Sequence, residues 1–146
     1  QTACVDTEAE LSKVESMLEK YVIANENQDF GLIEQIWSNS DDIILVGTDS
    51  DEIFEGWSSI EKAIQHQFNS FEDTYISVID QKIEINETGN TAWFSEFINY
   101  NFIYHGEAMS FEGIRFTGVV EKQNGDWKLV QGHLSIPVEA GTETNQ

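Results

Sequence analysis

The spacing of the apolar residues turns from mainly helical to wholly strand-like near Phe71, and no other feature restricts the fold as much. Before that point most steps are helical. Leu11, Val14, Met17, Leu18, Tyr21 and Val22 fall three or four residues apart within Thr7 to Gln28, which predicts a long amphipathic helix. Phe30 to Trp37 predicts a shorter one, closed by the turn-forming cluster Ser38-Asn39-Ser40-Asp41. A buried strand is expected at Ile43 to Val46, ended by Gly47. A third helix should run from a Ser58 or Ser59 cap to Phe71, with Ile60, Ala63, Ile64 and Phe68 on its inner side.

After Phe71 the chain reads as strand, over Tyr75 to Ile85, Thr91 to Tyr104, Phe111 to Lys122 and Trp127 to Ile136. Turns fall at Asn86 to Asn90, His105 to Glu107 and Asn124-Gly125, and Pro137 ends the last strand. Helices followed by a meander of long strands give an α+β class: three N-terminal helices covering one face of an antiparallel sheet. A length of 146 residues suits one domain. Its expected extent is 8–138, between a flexible N-terminus at 1–7 and a mobile tail at 139–146.

Seven Lys plus Arg against 27 Asp plus Glu give a formal charge of -20, a field that repels phosphate backbones and anionic lipid headgroups. Nucleic-acid and membrane-surface partners are therefore not expected, and no apolar run approaches the roughly 18 to 20 residues of a membrane span. Cys4 is the single cysteine, so no intrachain disulfide supports the fold. It reads as a thiol in a frayed terminus rather than a lipid attachment site, since Gln1-Thr2-Ala3 lacks the apolar residue expected ahead of one. A chain starting at Gln1 without Met fits removal of a signal peptide, favouring an exported or periplasmic location over a cytoplasmic one.

The stretch Gly113-Ile114-Arg115-Phe116-Thr117, followed by Lys122-Gln123-Asn124-Gly125-Asp126-Trp127-Lys128-Leu129-Val130 and His133-Leu134-Ser135-Ile136-Pro137, resembles the C-terminal hairpin of SnoaL-like domains. Phe54-Glu55-Gly56-Trp57 leading to Ile60 is similar to the segment before the third helix in the same family. The resemblance spans about residues 8 to 138 and implies the nuclear transport factor two-like fold, in which the antiparallel sheet is strongly curved and cone-shaped. That fold is shared by ketosteroid isomerase, scytalone dehydratase, polyketide cyclases and the association domain of calcium/calmodulin-dependent protein kinase. One departure matters. The isomerase carries its catalytic aspartate near the end of the strand that here reads Ile43 to Gly47, where this chain has no carboxylate; Asp49 and Asp51 lie beyond it. Steroid isomerase chemistry is not supported residue by residue, and function has to come from the site.

Side chains of a strand alternate between faces, so the two parities can be compared. In the last hairpin Ile114, Phe116, Val120, Val130 and Leu134 should face the helices, while Arg115, Thr117, Trp127, Leu129, His133 and Ser135 should face outward. A two-residue turn at Asn124-Gly125 would spoil this sorting, so a bulged turn is expected there. The resemblance implies that the outer face packs against a second subunit, which makes Arg115, His133 and Ser135 candidates for a homodimer interface.

Between Ala92 and Tyr104 the even set reads Ala92, Phe94, Glu96, Ile98, Tyr100, Phe102 and Tyr104, one acid among apolar and aromatic neighbours. Burial raises a carboxyl pKa and equips it as a general base or a neutral donor near pH 7. Glu96 is the candidate catalytic residue, and the alternative is a place at the open mouth of the cone, solvated or paired with Lys. Tyr21, Trp37, Tyr100 and Phe116 are expected to line the same cavity, against the alternative of plain core. No metal site or cofactor is expected: His66, His105 and His133 are far apart in sequence, Thr48 to Glu52 lacks the spacing of a calcium loop, and no phosphate-binding glycine loop occurs. Asn86-Glu87-Thr88 matches a glycosylation sequon, relevant only to a secreted chain in a glycosylating organism. Two readings follow. One is a small-molecule-binding domain with isomerase, lyase or cyclase proton transfer through Glu96; the other is a homodimerisation module with a vestigial pocket.

Overall fold

The structure, a computed structural model, describes residues 5–139. Cys4, most of the expected flexible N-terminus and the tail beyond 139 lie outside them. Three helices come first: α1 (Thr7–Asn27), α2 (Phe30–Ile36) and, after two short strands, α3 (Trp57–Ser70). Asp6 caps α1 by accepting from the Ala9 N–H at 3.1 Å, and Asp29 caps α2 through the Leu32 N–H at 3.1 Å. The start of α3 differs from expectation. Gly56, at φ 83°, is its cap, with no side-chain hydrogen bond, and Ser58 and Ser59 lie inside the helix. Gly56 is fixed instead by its backbone, since its N–H donates to Ile43 O at 2.8 Å and that of Trp57 to Ser40 O at 3.0 Å.

Six strands form one sheet in the order β2-β1-β6-β5-β4-β3. They are β1 (Ile44–Val46), β2 (Ile53–Glu55), β3 (Phe71–Ile85), β4 (Thr91–Tyr104), β5 (Glu107–Gln123) and β6 (Asp126–Ser135). The sheet is mixed rather than wholly antiparallel, because β1 runs parallel to β6. Register shifts interrupt β3–β4 twice, β4–β5 once and β5–β6 once. Each extra residue bends its strand and strengthens the local twist, so the sheet curls around the helices.

The last hairpin corrects the sorting read from sequence. Asn124 (φ 52°) and Gly125 (φ 87°) form a two-residue turn in the primed, left-handed conformation, closed by the Gln123–Asp126 pair. The turn therefore carries no bulge, and Trp127 and Leu129 point inward and are buried. The compensating extra residue is Val130, after which Thr117 pairs with His133 and Phe116 with Leu134, as like parities require. Ile114, Phe116 and Val120 are buried, and Val130 and Leu134 are partly buried against the same core.

Val14, Leu18, Ile33, Ile36, Ile43, Ile60, Ile98 and Phe116 fill the space between helices and sheet, each all but inaccessible. Burying a side chain of this size contributes about 1.5–3 kcal/mol, so the concave face supplies the main driving force. No helix among the described residues is long and apolar enough to cross a membrane.

Gly118 and Gly125 separate two reasons for glycine. A Cβ on Gly118 would run into the backbone oxygen of Gln131 and lie 2.8 Å from the Phe94 ring, whereas one on Gly125 meets nothing within 4 Å and suffers only from φ +87°. Gly125→Ala should cost about 1 kcal/mol through backbone strain alone. Gly118→Ala should cost more, about 1–3 kcal/mol through forced repacking, as read from urea midpoints.

Candidate functional site

Alternation along β4 is strict: Ala92, Phe94, Glu96 and Ile98 are buried, while Trp93, Ser95 and Phe97 between them are exposed. Glu96 is therefore carried to the concave side by the same geometry that buries its apolar neighbours, and it is 1% exposed. Its Oε1 accepts a hydrogen bond from Gln81 Nε2 at 2.9 Å, and its Oε2 has no protein partner. No lysine lies within ion-pair distance of it among the described residues. Burial holds the Glu96 pKa above the ordinary carboxylate value, and the Gln81 hydrogen bond opposes that rise in part.

Gln81 is the residue that sequence reading missed. It sits on edge strand β3, where the register slips between Ile79 and Lys82, and the preceding Asp80 adopts φ 54°, unusual for a residue other than glycine. The bulge lets an exposed glutamine on an edge strand bring its amide over a buried acid on the neighbouring strand. Only the turn-prone Asp80 hinted at this in the sequence.

The aromatic candidates gather around Phe116, the cross-strand partner of Glu96. Tyr21 of α1 stacks on Phe116 with centroids 4.7 Å apart, and Phe94 meets the same ring edge-on at 5.0 Å. Burial pushes the Tyr21 hydroxyl pKa well above its usual value, with a further rise from the electrostatic neighbours Tyr100 and Glu96. Tyr100 is also raised by burial, and its hydroxyl accepts from Gln67 Nε2 at 2.8 Å. Trp37, 2% exposed, closes the other side: a Cβ on Gly132 would lie 3.3 Å from the Trp37 ring and 3.5 Å from that of Phe116. The Trp37 indole N–H has no protein partner. Tyr21, Glu96, Tyr100, Phe116 and Trp37 thus share one interior, which is aromatic but carries four polar groups.

Arg115 and His133 are exposed and Ser135 half-buried on the opposite, convex face. The tryptophan there is Trp93, not Trp127. Two surface clefts, of about 450 and about 410 Å³, are lined by other residues, the first by α1, the end of α2 and the β5–β6 hairpin, the second by Gln28, Phe30, Gln65, Phe68 and Asn69. Neither reaches the Glu96 cluster, so chemistry and burial define this site better than surface concavity does.

Residues 14–139 match the model of the SnoaL-like domain family. Among solved structures, a nuclear transport factor 2-like superfamily protein from Salmonella enterica serovar Typhimurium superposes with a TM-score of 0.83 at 18% identity, covering 96% of this chain and 99% of that one. A protein of unknown function of the same type from Pseudomonas putida gives 0.74 at 18% identity, over 94% and 92%. A type 2 hexachlorocyclohexane dehydrochlorinase gives 0.78 at 12% identity, over 91% and 88%. At these identities the likeness is one of fold. No curated protein sequence matches the chain.

The raised Glu96 pKa has a consequence for stability. Below pH 4.5, the ordinary carboxyl value, folded and unfolded chains both hold the proton and the neutral acid's contribution is fully present. Above it the unfolded chain releases the proton first, so this contribution declines as pH rises through the folded pKa. Glu96→Gln keeps the shape without titrating. The urea midpoint of the native chain, relative to that of the variant, should be level below pH 4.5 and fall progressively above it. A difference that stays constant with pH would mean that Glu96 titrates as an ordinary surface acid.

Proposed function

The chain belongs to the SnoaL-like domain family, and from that premise we propose that it binds a small molecule in its helix-covered interior and transfers a proton through Glu96. The observation that carries this reading is a buried acid with a raised pKa and one oxygen left without a protein partner, beside aromatic rings. With Oε1 occupied by the Gln81 amide, a neutral Glu96 presents its hydrogen on Oε2, and an ionised one presents a basic lone pair from the same atom. The Trp37 N–H offers a second donor to a ligand oxygen. These groups suit an uncharged molecule bearing a carbonyl or a leaving group, handled by isomerase, lyase or cyclase chemistry. The similarity in fold to a dehydrochlorinase is compatible with an elimination. Entry is expected where the exposed Gln81 covers the carboxyl at the sheet edge.

A thermal-shift screen with uncharged carbonyl compounds should give a ligand that stabilises the native protein. Turnover of that ligand should drop by roughly 100-fold or more in Glu96→Gln, the usual scale of a lost general acid or base. Equal turnover in the two proteins would remove Glu96 from the chemistry.

The second reading, a homodimerisation module with a vestigial pocket, is favoured by the convex face. Trp93 (49% exposed) and Phe97 (38%) stand there beside Ile79, with Arg115, His133 and Ser135 alongside, an apolar patch with polar neighbours suited to a second copy of the chain. Light scattering should give a dimer for the native chain and a monomer for Phe97→Glu. A native monomer at every concentration would reject this interface, and a dimer that binds no ligand would favour the module over the enzyme.

A further inference from the structure

Seven basic side chains serve a chain of formal charge -20, and they are not spread evenly. Lys13, Lys20 and Lys128 line the cleft of about 450 Å³ between α1, the end of α2 and the β5–β6 hairpin. Lys13 and Lys20 stand two turns apart on α1, so they share a side of the helix, with the hydroxyls of Ser12 and Ser16 between and beside them. The floor is apolar, made by the buried Met17, Ile36 and Trp127.

The acids nearby do not cancel these charges. Glu10 accepts from Lys122 Nζ and from Trp127 Nε1, both at 2.9 Å, and these bonds hold its pKa below the ordinary value. Lys13 is 3.6 Å from a carboxylate oxygen that Lys122 already occupies. Lys128 donates to the Gln35 carbonyl at 2.7 Å, a neutral acceptor that pins the ammonium to the wall without compensating it. Lys20 has no carboxylate within ion-pair distance among the described residues. Asp126 is the one acid in the lining; Glu8, Glu15 and Glu19 of α1 are not part of it. The lining itself therefore sets three ammonium groups against the single carboxylate of Asp126, a local reversal of the chain's overall sign.

We infer that this cleft binds a small organic dianion, a phosphate monoester or a dicarboxylate, whose oxygens bridge the α1 ammonium groups and Lys128 and accept from Ser12 and Ser16. The overall charge turns away large polyanions, while the apolar floor accepts the carbon body of a small one. The cleft shares no residue with the Glu96 cluster, so this inference stands independently of the proposed function.

The test is an amide-shift titration of the full chain with phenyl phosphate, with succinate, and with sodium chloride at matched ionic strength. Saturable shifts at Ser12, Ser16, Lys20 and Lys128 with phenyl phosphate alone identify a phosphate monoester site; saturation with succinate alone identifies a dicarboxylate site; saturation with both supports the shared dianion chemistry. Lys13→Gln with Lys20→Gln should weaken the binding roughly tenfold while leaving the remaining spectrum in place, since both side chains are exposed. Lys20→Gln alone serves if the double variant folds poorly. Shifts reproduced by sodium chloride, shifts that never saturate, or undiminished binding in the folded variants would overturn the inference.

Discussion

A strand paired on both sides and covered by helices has to send every second side chain into the interior, and in β4 that rule takes in an acid. Ala92, Phe94, Ile98 and Phe102 supply apolar surface on the concave face, and Glu96 travels with them. An ionised carboxyl in such a place costs several kcal/mol unless it is neutralised or hydrogen-bonded. The rest of the site can be understood as a response to that burden. Gln81 satisfies one oxygen, burial favours the protonated form, and the other oxygen is closed off from solvent without a protein partner.

The helices are held by side chains reaching across long stretches of sequence as well as by apolar packing. At the end of α1, Gln28 adopts a left-handed conformation and its amide donates to the Phe71 carbonyl, while Glu26 accepts from the Ile76 N–H at 2.9 Å. Near the start of α1, Glu10 joins the last hairpin through Lys122 and Trp127. The helix that contributes Tyr21 to the interior is therefore tied to both halves of the sheet, which fixes the Tyr21–Phe116 stack.

Periodicity made much of this legible in advance. The first two helices, the bounds of β4 and the inward position of Glu96 follow from steps of three, four and two residues that burial then enforces. What sequence hid was local slippage. An extra residue carries no compositional mark, so alternation alone puts the bulge in the turn rather than at Val130 and sends Trp127 and Leu129 to the wrong face. Gln81 escaped for the same reason: its reach towards Glu96 depends on an irregular Asp80, not on alternation. The Gly56 cap was missed because its stabilising bonds come from the distant backbone atoms of Ile43 and Ser40. The proton transfer proposed for Glu96 depends on a ligand, which no pattern within the chain encodes.

The two rims of the sheet have an implication for colloidal behaviour. On one side β2 is only three residues long, too short to template a new strand. On the other, the fifteen-residue β3 could do so, yet Asp73 and Asp80 break its line with left-handed kinks, and the side chains of Glu26 and Gln28 already occupy the Ile76 N–H and the Phe71 carbonyl. An approaching strand would find no straight row of free amides to zip onto, so runaway fibre growth along the rim is disfavoured even with a curled sheet left open at both ends.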